Sequence, residues 1–205
     1  MILPVRLKTP IRCRYIVPPM NEGADEDLVR RIASGDRMAM RVLYGRHQLK
    51  VHRFICGIVR DSGLAEDLVN DVFFDVWTQA GRFEGRSSVS TWLFGIARFK
   101  ALSARRRRKD DELDDEMAEA VPDDADTPET VAQKSDKGVA LRQCIGALSG
   151  EHRAVVDLVY YHDKSVEEVA VILDIPEATV KTRMFYARKK LSDLLIAAGI
   201  DRGWP

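Results

Sequence analysis

The chain has 205 residues, 45% of them hydrophobic and 31% charged, with 32 basic and 32 acidic side chains that cancel to a formal net charge of zero. This is enough chain for one large domain or two small ones, and no apolar run approaches the roughly 18 residues needed to span a bilayer, so membrane insertion is not expected. The three cysteines, Cys13, Cys56 and Cys144, are odd in number, far apart and without a CxxC pair, which argues against a disulfide framework or a cysteine zinc site and suits a reducing cytoplasm.

The neutral total is made of opposed blocks. Between Asp25 and Lys109, 17 Lys and Arg stand against 10 Asp and Glu; between Asp110 and Glu129 there are 11 acidic residues and no basic one. Such segregation points to an anionic partner for the basic parts.

Residues 1–24 are basic and broken by prolines, with apolar stretches too short for a secretory signal. They read as a flexible tail, and both Met1 and Met20 are readable as start sites. From residue 25 the pattern turns helical. Leu28 and Ile32, then Met40, Leu43 and Tyr44, then Val51, Phe54, Ile55 and Ile58 recur at three- and four-residue spacing, the mark of amphipathic helices. SGDRMAM supplies a break and a cap between the first two. A turn at DSG opens a further helix through GLAEDLVNDVFFDVWTQA, GRFEGRSSVS is a Gly/Ser loop, and TWLFGIARFKALSARRRRK is a last helix that becomes strongly basic.

Residues 110–137 carry two prolines and few large apolar side chains and read as a disordered acidic linker. A second helical unit spans 138–199. Leu141, Ile145 and Leu148 form one stripe, Val155, Leu158 and Val159 another, with a turn and cap at LSGEHR. Next comes SVEEVAVILDIPEATVKTRMFYARKKL. Val166, Val169, Ala170 and Leu173 make one apolar face, and Ser165 with Glu168 has the form of a capping box. Asp174-Ile175-Pro176 breaks the helix, and proline suits the first turn of the next. There Val180, Met184, Ala187 and Leu191 face inward, while Lys181, Thr182, Arg183, Tyr186, Arg188 and Lys189 face out. Two short helices across a tight turn, with a cationic and hydroxyl-bearing outer face, have the form of a helix-turn-helix. Arginine forks onto guanine, threonine reaches base edges or phosphate, and lysine holds phosphate as a point charge. No strand alternation is persuasive, so the fold class is all-α: two small helical domains joined by the linker.

Two further features of the first unit call for a partner. Asp67, Asp71 and Asp75 recur every four residues, a repulsive arrangement on a helix that suits a basic protein surface. No histidine stands at ligand spacing with them, so no metal is expected. Downstream, Arg82, Phe83, Arg86, Ser87 and Ser88 lead into Trp92, Arg98, Lys100 and Arg105 to Arg108. Aromatic rings interleaved with arginines suit unstacked bases and their backbone.

In these motifs taken in order, the chain resembles the extracytoplasmic-function sigma factors of the sigma-70 family, the small specificity subunits of bacterial RNA polymerase. The resemblance covers about 25–108 (sigma region 2) and 138–195 (sigma region 4), within domains read as 25–109 and 138–199. AEDLVNDVFFDVW resembles the helix that docks on core polymerase, VSTWLFGIAR the segment that opens the minus-ten element, and LSGEHRAVVDLVYYHDKSVEEVAVILDIPEATVKTRMFYARKKL the minus-thirty-five reader. It implies that Asp67, Asn70, Asp71 and Asp75 face the polymerase. It places Phe83, Arg86, Ser87, Trp92, Arg98 and Lys100 on the minus-ten strands, and Lys181, Thr182, Arg183 and Arg188 on the minus-thirty-five duplex. Core RNA polymerase and promoter DNA are then the partners, an anti-sigma protein is a further one that the family admits, and the setting is the bacterial cytoplasm, in stress response or other regulated transcription. No cofactor and no catalytic residue are implied.

The chain departs from the family pattern at Asn70 (often Gln), Phe99 (often Asn), Ser103 (often Asp), Ala178 (often Gly) and Tyr186 (often Arg). These read as changes of specificity. The rival reading is a helix-turn-helix regulator without sigma activity; such a protein has no need of a carboxylate docking helix followed by an aromatic and arginine loop. An enzyme ranks lower, because no glycine-rich phosphate loop, metal constellation or nucleophile–base pair stands out. The linker acids are expected to keep that segment off DNA, or to shield the basic faces of the free protein.

Overall fold

Four short polar side chains decide where helices begin. Asp36 accepts hydrogen bonds from the Met38 and Ala39 amides, Asp61 from Leu64, Ser149 from His152 and Ser165 from Glu168. Each satisfies amides that have no partner inside their own helix. In the computed structural model, which describes residues 22–114 and 136–199, they open four of eight α-helices. These are α1 (Glu22–Ala33), α2 (Arg37–Val59), α3 (Ser62–Gln79), α4 (Val89–Asp114), α5 (Asp136–Gly146), α6 (Gly150–Tyr160), α7 (Val166–Leu173) and α8 (Glu177–Ala197). A single 3-10 turn, Ala80–Arg82, extends α3 toward the loop before α4. No strand occurs among the described residues.

Helices α2, α3 and α4 pack face to face, with α1 laid across α2 and the 3-10 turn. Leu43, Val51, Phe54 and Ile55 of α2 meet Val72 and Val76 of α3 and Leu93, Ala97 and Ala101 of α4, all essentially without solvent exposure. One polar group is locked into this layer. Asp25 of α1 accepts from His47 at 2.7 Å and from Arg46 at 2.5 Å. Burial pushes its carboxyl up, and the hydrogen bonds from His47 and Arg46 outweigh that and hold it below the usual carboxylate range. The network fastens α1 to α2, since a buried charge is tolerated only when paired.

The second unit stacks α5, α6 and α7 around α8. Asp174, in the left-handed region at φ 49°, ends α7, and its short polar side chain suits that conformation. Pro176 stands one position before α8, as its cap at φ −59° and ψ 145°, and Glu177 begins the helix. The stripe Val180, Met184 and Ala187 is buried against α6 and α7.

Some boundaries differ from the pattern in the sequence. Helix α4 continues through Asp114, because no proline or glycine interrupts the chain before Pro122. Residues 22–24, read from the sequence as the end of a flexible tail, are the first residues of α1, while the rest of the tail, including Cys13, and most of the linker lie outside the described residues. Cys144 is buried and Cys56 half-buried. A further difference concerns the two units. They do not stand apart: α4 packs on α7 and α2 on α6, and one buried apolar cluster runs through both.

Candidate functional site

Helix α3 presents Asp67, Asn70 and Asp71 to solvent. Their spacing of three and four residues puts them on one face, and Phe74, 66% exposed, completes it. A bare ring amid carboxylates is costly in water and useful against a protein surface that is both basic and apolar. The sequence reading did not name Phe74, though the 67/70/71/74 spacing sets it beside the acids. Asp75 behaves differently. Eight residues at roughly 100° each leave it about 80° around the helix from Asp67. It is turned toward α4, where Lys100 meets it at 2.9 Å. Two expected contact residues, one for protein and one for DNA, are thus paired with each other.

The loop before α4 is built on packing. Phe83 rests on Trp92 with ring centroids 5.0 Å apart, and both are half-buried. Arg86 pairs with Glu84 and is exposed. Gly85 supplies the loop's positive φ of 68°, which glycine adopts at little cost. The Ser87 hydroxyl donates to the Ser88 carbonyl at 3.5 Å. Along α4, Phe94 is buried in the core. Phe99 is 69% exposed, so this departure from the family pattern sits where a ligand can reach it.

The outer face of α8 is cationic. Lys181 reaches Glu177 at 3.5 Å, a weak exposed pair. Thr182 donates back to the Ala178 carbonyl at 2.9 Å. Arg188 donates to the Tyr160 hydroxyl at 3.0 Å and lies over that ring at 5.9 Å. Tyr186 is exposed and meets Phe185 edge-on. Arg183 does not share this face. It is 24% exposed and bound to Glu151 of α6 at 2.8 Å.

Arg183 also lines a cleft of about 500 Å³ between the two units, with Arg98 and Leu102 of α4, Arg153 and Asp157 of α6, and Asp174. Burial and the neighbouring charges of Arg60 and Arg105 push the Arg153 guanidinium down, with Asp157 offsetting part of this. Arg98 and Arg183, expected on different stretches of DNA, therefore border one cavity.

The N-termini of α4 and α7 meet through a polar cluster. Glu168 accepts from Lys164 at 2.7 Å, Ser88 at 2.9 Å and Thr91 at 2.5 Å through one oxygen, and from the Ser165 amide at 3.1 Å through the other. The last contact closes the capping box. Burial pushes the Glu168 carboxyl up, and these donors overcome it and bring it down to about 2. An unfolded glutamate titrates near 4.5. The contact thus contributes fully above pH 4.5 and is lost as pH falls from there toward 2. In melting curves across that interval, the wild type should lose stability more steeply than Glu168→Gln; parallel curves would show that the carboxylate carries none of it.

Among the described residues, no group of three or more His, Cys, Asp and Glu side chains is placed to hold a metal, and no helix is long and apolar enough to cross a membrane.

Comparison with known proteins covers both units. The family model for Sigma-70 region 2 matches residues 43–110, and that for Sigma-70, region 4 matches 138–191. The RNA polymerase sigma-H factor of Pseudomonas aeruginosa is 29% identical over 185 residues, 86% of this chain and 96% of the relative. The ECF RNA polymerase sigma factor SigL of Mycobacterium tuberculosis is 29% identical over 172 residues, 83% of this chain and 96% of the relative. Among solved structures, the sigma factor RpoE in complex with the anti-sigma factor NepR from Bartonella quintana superposes with a TM-score of 0.66 at 26% identity, over 78% of this chain and 96% of that one. CnrH in complex with the cytosolic domain of CnrY gives 0.63 at 25% identity, over 85% and 98%.

Proposed function

Since the chain belongs to the extracytoplasmic-function sigma factors of the sigma-70 family, we propose the following division of labour between its two units. The protein is an RNA polymerase sigma factor that directs promoter-specific initiation. The first unit, residues 25–109, docks on core polymerase through Asp67, Asn70, Asp71 and Phe74 and holds the melted minus-ten strand. The second, residues 138–199, sets α8 in the major groove of the minus-thirty-five duplex. The observation that carries this reading is the match of both sigma regions, in order, in a chain whose relatives align over 96% of their own length.

Each contact set has its chemistry. The α3 face offers carboxylates that have no ion-pair partner among the described residues, and a bare ring, to a basic, partly apolar surface. On the minus-ten side, the Phe83–Trp92 pair gives a rigid aromatic platform for an unstacked base, Arg86 and Ser87 hold its backbone, and Arg98 and Lys100 hold the strand beyond. On the minus-thirty-five side, Lys181 and Thr182 lie at the N-terminal end of α8, the end that reaches base edges in this motif; Arg183 and Arg188 anchor phosphates once released from Glu151 and Tyr160. Neither unit needs to bind DNA tightly by itself, because tethering both to polymerase raises the effective concentration of each contact. The linker, residues 110–137, sets the reach between them.

Sigma factors act on promoters without catalysis of their own, and this chain is read likewise as non-enzymatic, working in the bacterial cytoplasm beside the polymerase. An anti-sigma protein is a partner by analogy with the solved RpoE, which is in complex with the anti-sigma factor NepR.

Run-off transcription with purified core polymerase and a library of promoter fragments tests this. Transcripts with defined starts should appear only when the protein is added, and alignment of their upstream DNA yields both promoter elements. Absence of transcripts, with sequence-specific DNA binding retained by the protein alone, would point to a regulator instead.

A further inference from the structure

The two units meet through a contact of unusual composition for a folded interior. From the start of α4 and the residue before it come three hydroxyls, Ser90 and Thr91 of the helix and Ser88 ahead of it. From the second unit come Lys164 and Glu168. The Lys164 ammonium, 5% exposed, reaches Ser90 at 2.6 Å, Glu168 at 2.7 Å, Thr91 at 3.1 Å and Ser88 at 3.4 Å. Next to it the buried His162 ring packs against Phe94 and Phe54, with centroids 4.6 and 6.1 Å apart.

Both charges of this cluster stand on the same unit, four residues apart. The other unit contributes only neutral hydroxyls. When the units part, the ammonium and carboxylate keep each other and regain water, and the hydroxyls are hydrated in turn. No unpaired charge is left buried on either side, which is the outcome that makes breaking an ordinary buried ion pair so costly. A contact of this kind can open and close without unfolding either partner.

Closed, the molecule cannot hold a promoter. Elements centred at minus ten and minus thirty-five are about 25 base pairs apart, or about 85 Å of duplex at 3.4 Å per pair. Arg98 and Arg183, one from each contact set, line the same 500 Å³ cleft, and Arg183 is occupied by Glu151.

We infer that Lys164 and Glu168, seated on Ser88, Ser90 and Thr91, form a latch that holds the free protein in a closed resting state, and that engaging both promoter elements requires this latch to open. The consequence for DNA rests on the contact sets proposed above; the latch itself does not.

Opposite changes at one position test it. Ser90 is half-buried at the start of α4 and belongs to neither contact set. Ser90→Lys sets a second ammonium against Lys164 and shifts the equilibrium toward the open form by about tenfold, the scale of one charge-assisted hydrogen bond. Ser90→Asp gives Lys164 an ion partner at a helix N-terminus, where a carboxylate is favourable, and closes the molecule further. Small-angle scattering of the full chain reads the difference: the radius of gyration rises for Ser90→Lys, and for Ser90→Asp it stays at or below the wild-type value. Glu168→Gln, which keeps the capping box but leaves Lys164 without its carboxylate, also raises it, and covers the case in which Ser90→Lys loses helicity. Equal radii for wild type, Ser90→Lys and Glu168→Gln would overturn the latch. A wild type as extended as the open variants would overturn the closed resting state. Binding to core polymerase is measured alongside; if no variant binds, the sigma reading fails while the scattering result still decides the latch.

Discussion

A chain carrying Asp67→Lys and Asp71→Lys binds core RNA polymerase about a hundredfold more weakly than the wild type, roughly tenfold for each reversed charge, and melts at nearly the same temperature. Both carboxylates are exposed, and neither is joined to a described side chain by an ion pair, so the folded protein gives up little when they change sign. A basic docking surface loses two attractions and meets two repulsions. The loss should shrink as salt is added, because exposed charges are screened within about 10 Å at 0.1 M. Asp75→Lys is the contrasting control. Its carboxylate is bound to Lys100 at 2.9 Å, so reversal sets two ammonium groups together at the α3–α4 contact and lowers the melting temperature as well. Titration of labelled core polymerase, with a melting curve for each variant, separates the two behaviours. If the double variant binds like the wild type, the α3 face is not the docking surface.

Phe54→Ala lowers the stability of the first unit by about 3–5 kcal/mol, the usual cost of removing a buried aromatic ring. It also loosens the first unit from the second. The ring is 1% exposed. It meets Phe94 edge-on at 5.1 Å inside the first unit and His162 of the second at 6.1 Å, so a single cavity removes contacts on both sides of the boundary. Differential scanning calorimetry is the direct check. A wild type that melts in one transition should give two in the variant, the first-unit transition moving the farther. A single transition at the wild-type temperature would mean that Phe54 is not the keystone its burial indicates.

The elements were largely legible from residue spacing, because the helices here are amphipathic and bounded by strong caps. Asp36, Asp61, Ser149 and Ser165 all cap where a short polar residue precedes an apolar stripe. The α8 face was legible for the same reason: a stripe of Val180, Met184 and Ala187 that turns inward forces Lys181, Thr182 and Arg188 outward. Spacing failed where a side chain's fate depends on another helix. Asp75 reads as the third member of an acidic row, yet the drift of the helix carries it to Lys100. Arg183 lies in the run of α8 cations, yet its turn of the helix faces Glu151. Phe74 is apolar by type, and its spacing alone does not say that it stays 66% exposed among the described residues.

What the sequence determined by itself was the set of helices, the two sigma regions and the sign of each surface, since these follow from local periodicity, capping chemistry and the ordering of charge along the chain. What only the tertiary structure decided was the meeting of the two regions. Ser88 and Thr91 look like loop and helix-start residues, Lys164 like a turn, and Glu168 like half of a capping box, and each local reading is complete without the others. Hydrogen bonds across 70 or more residues of chain are set by which surfaces meet, and polar residues that can be satisfied by water or by one another carry no mark of that choice in their spacing.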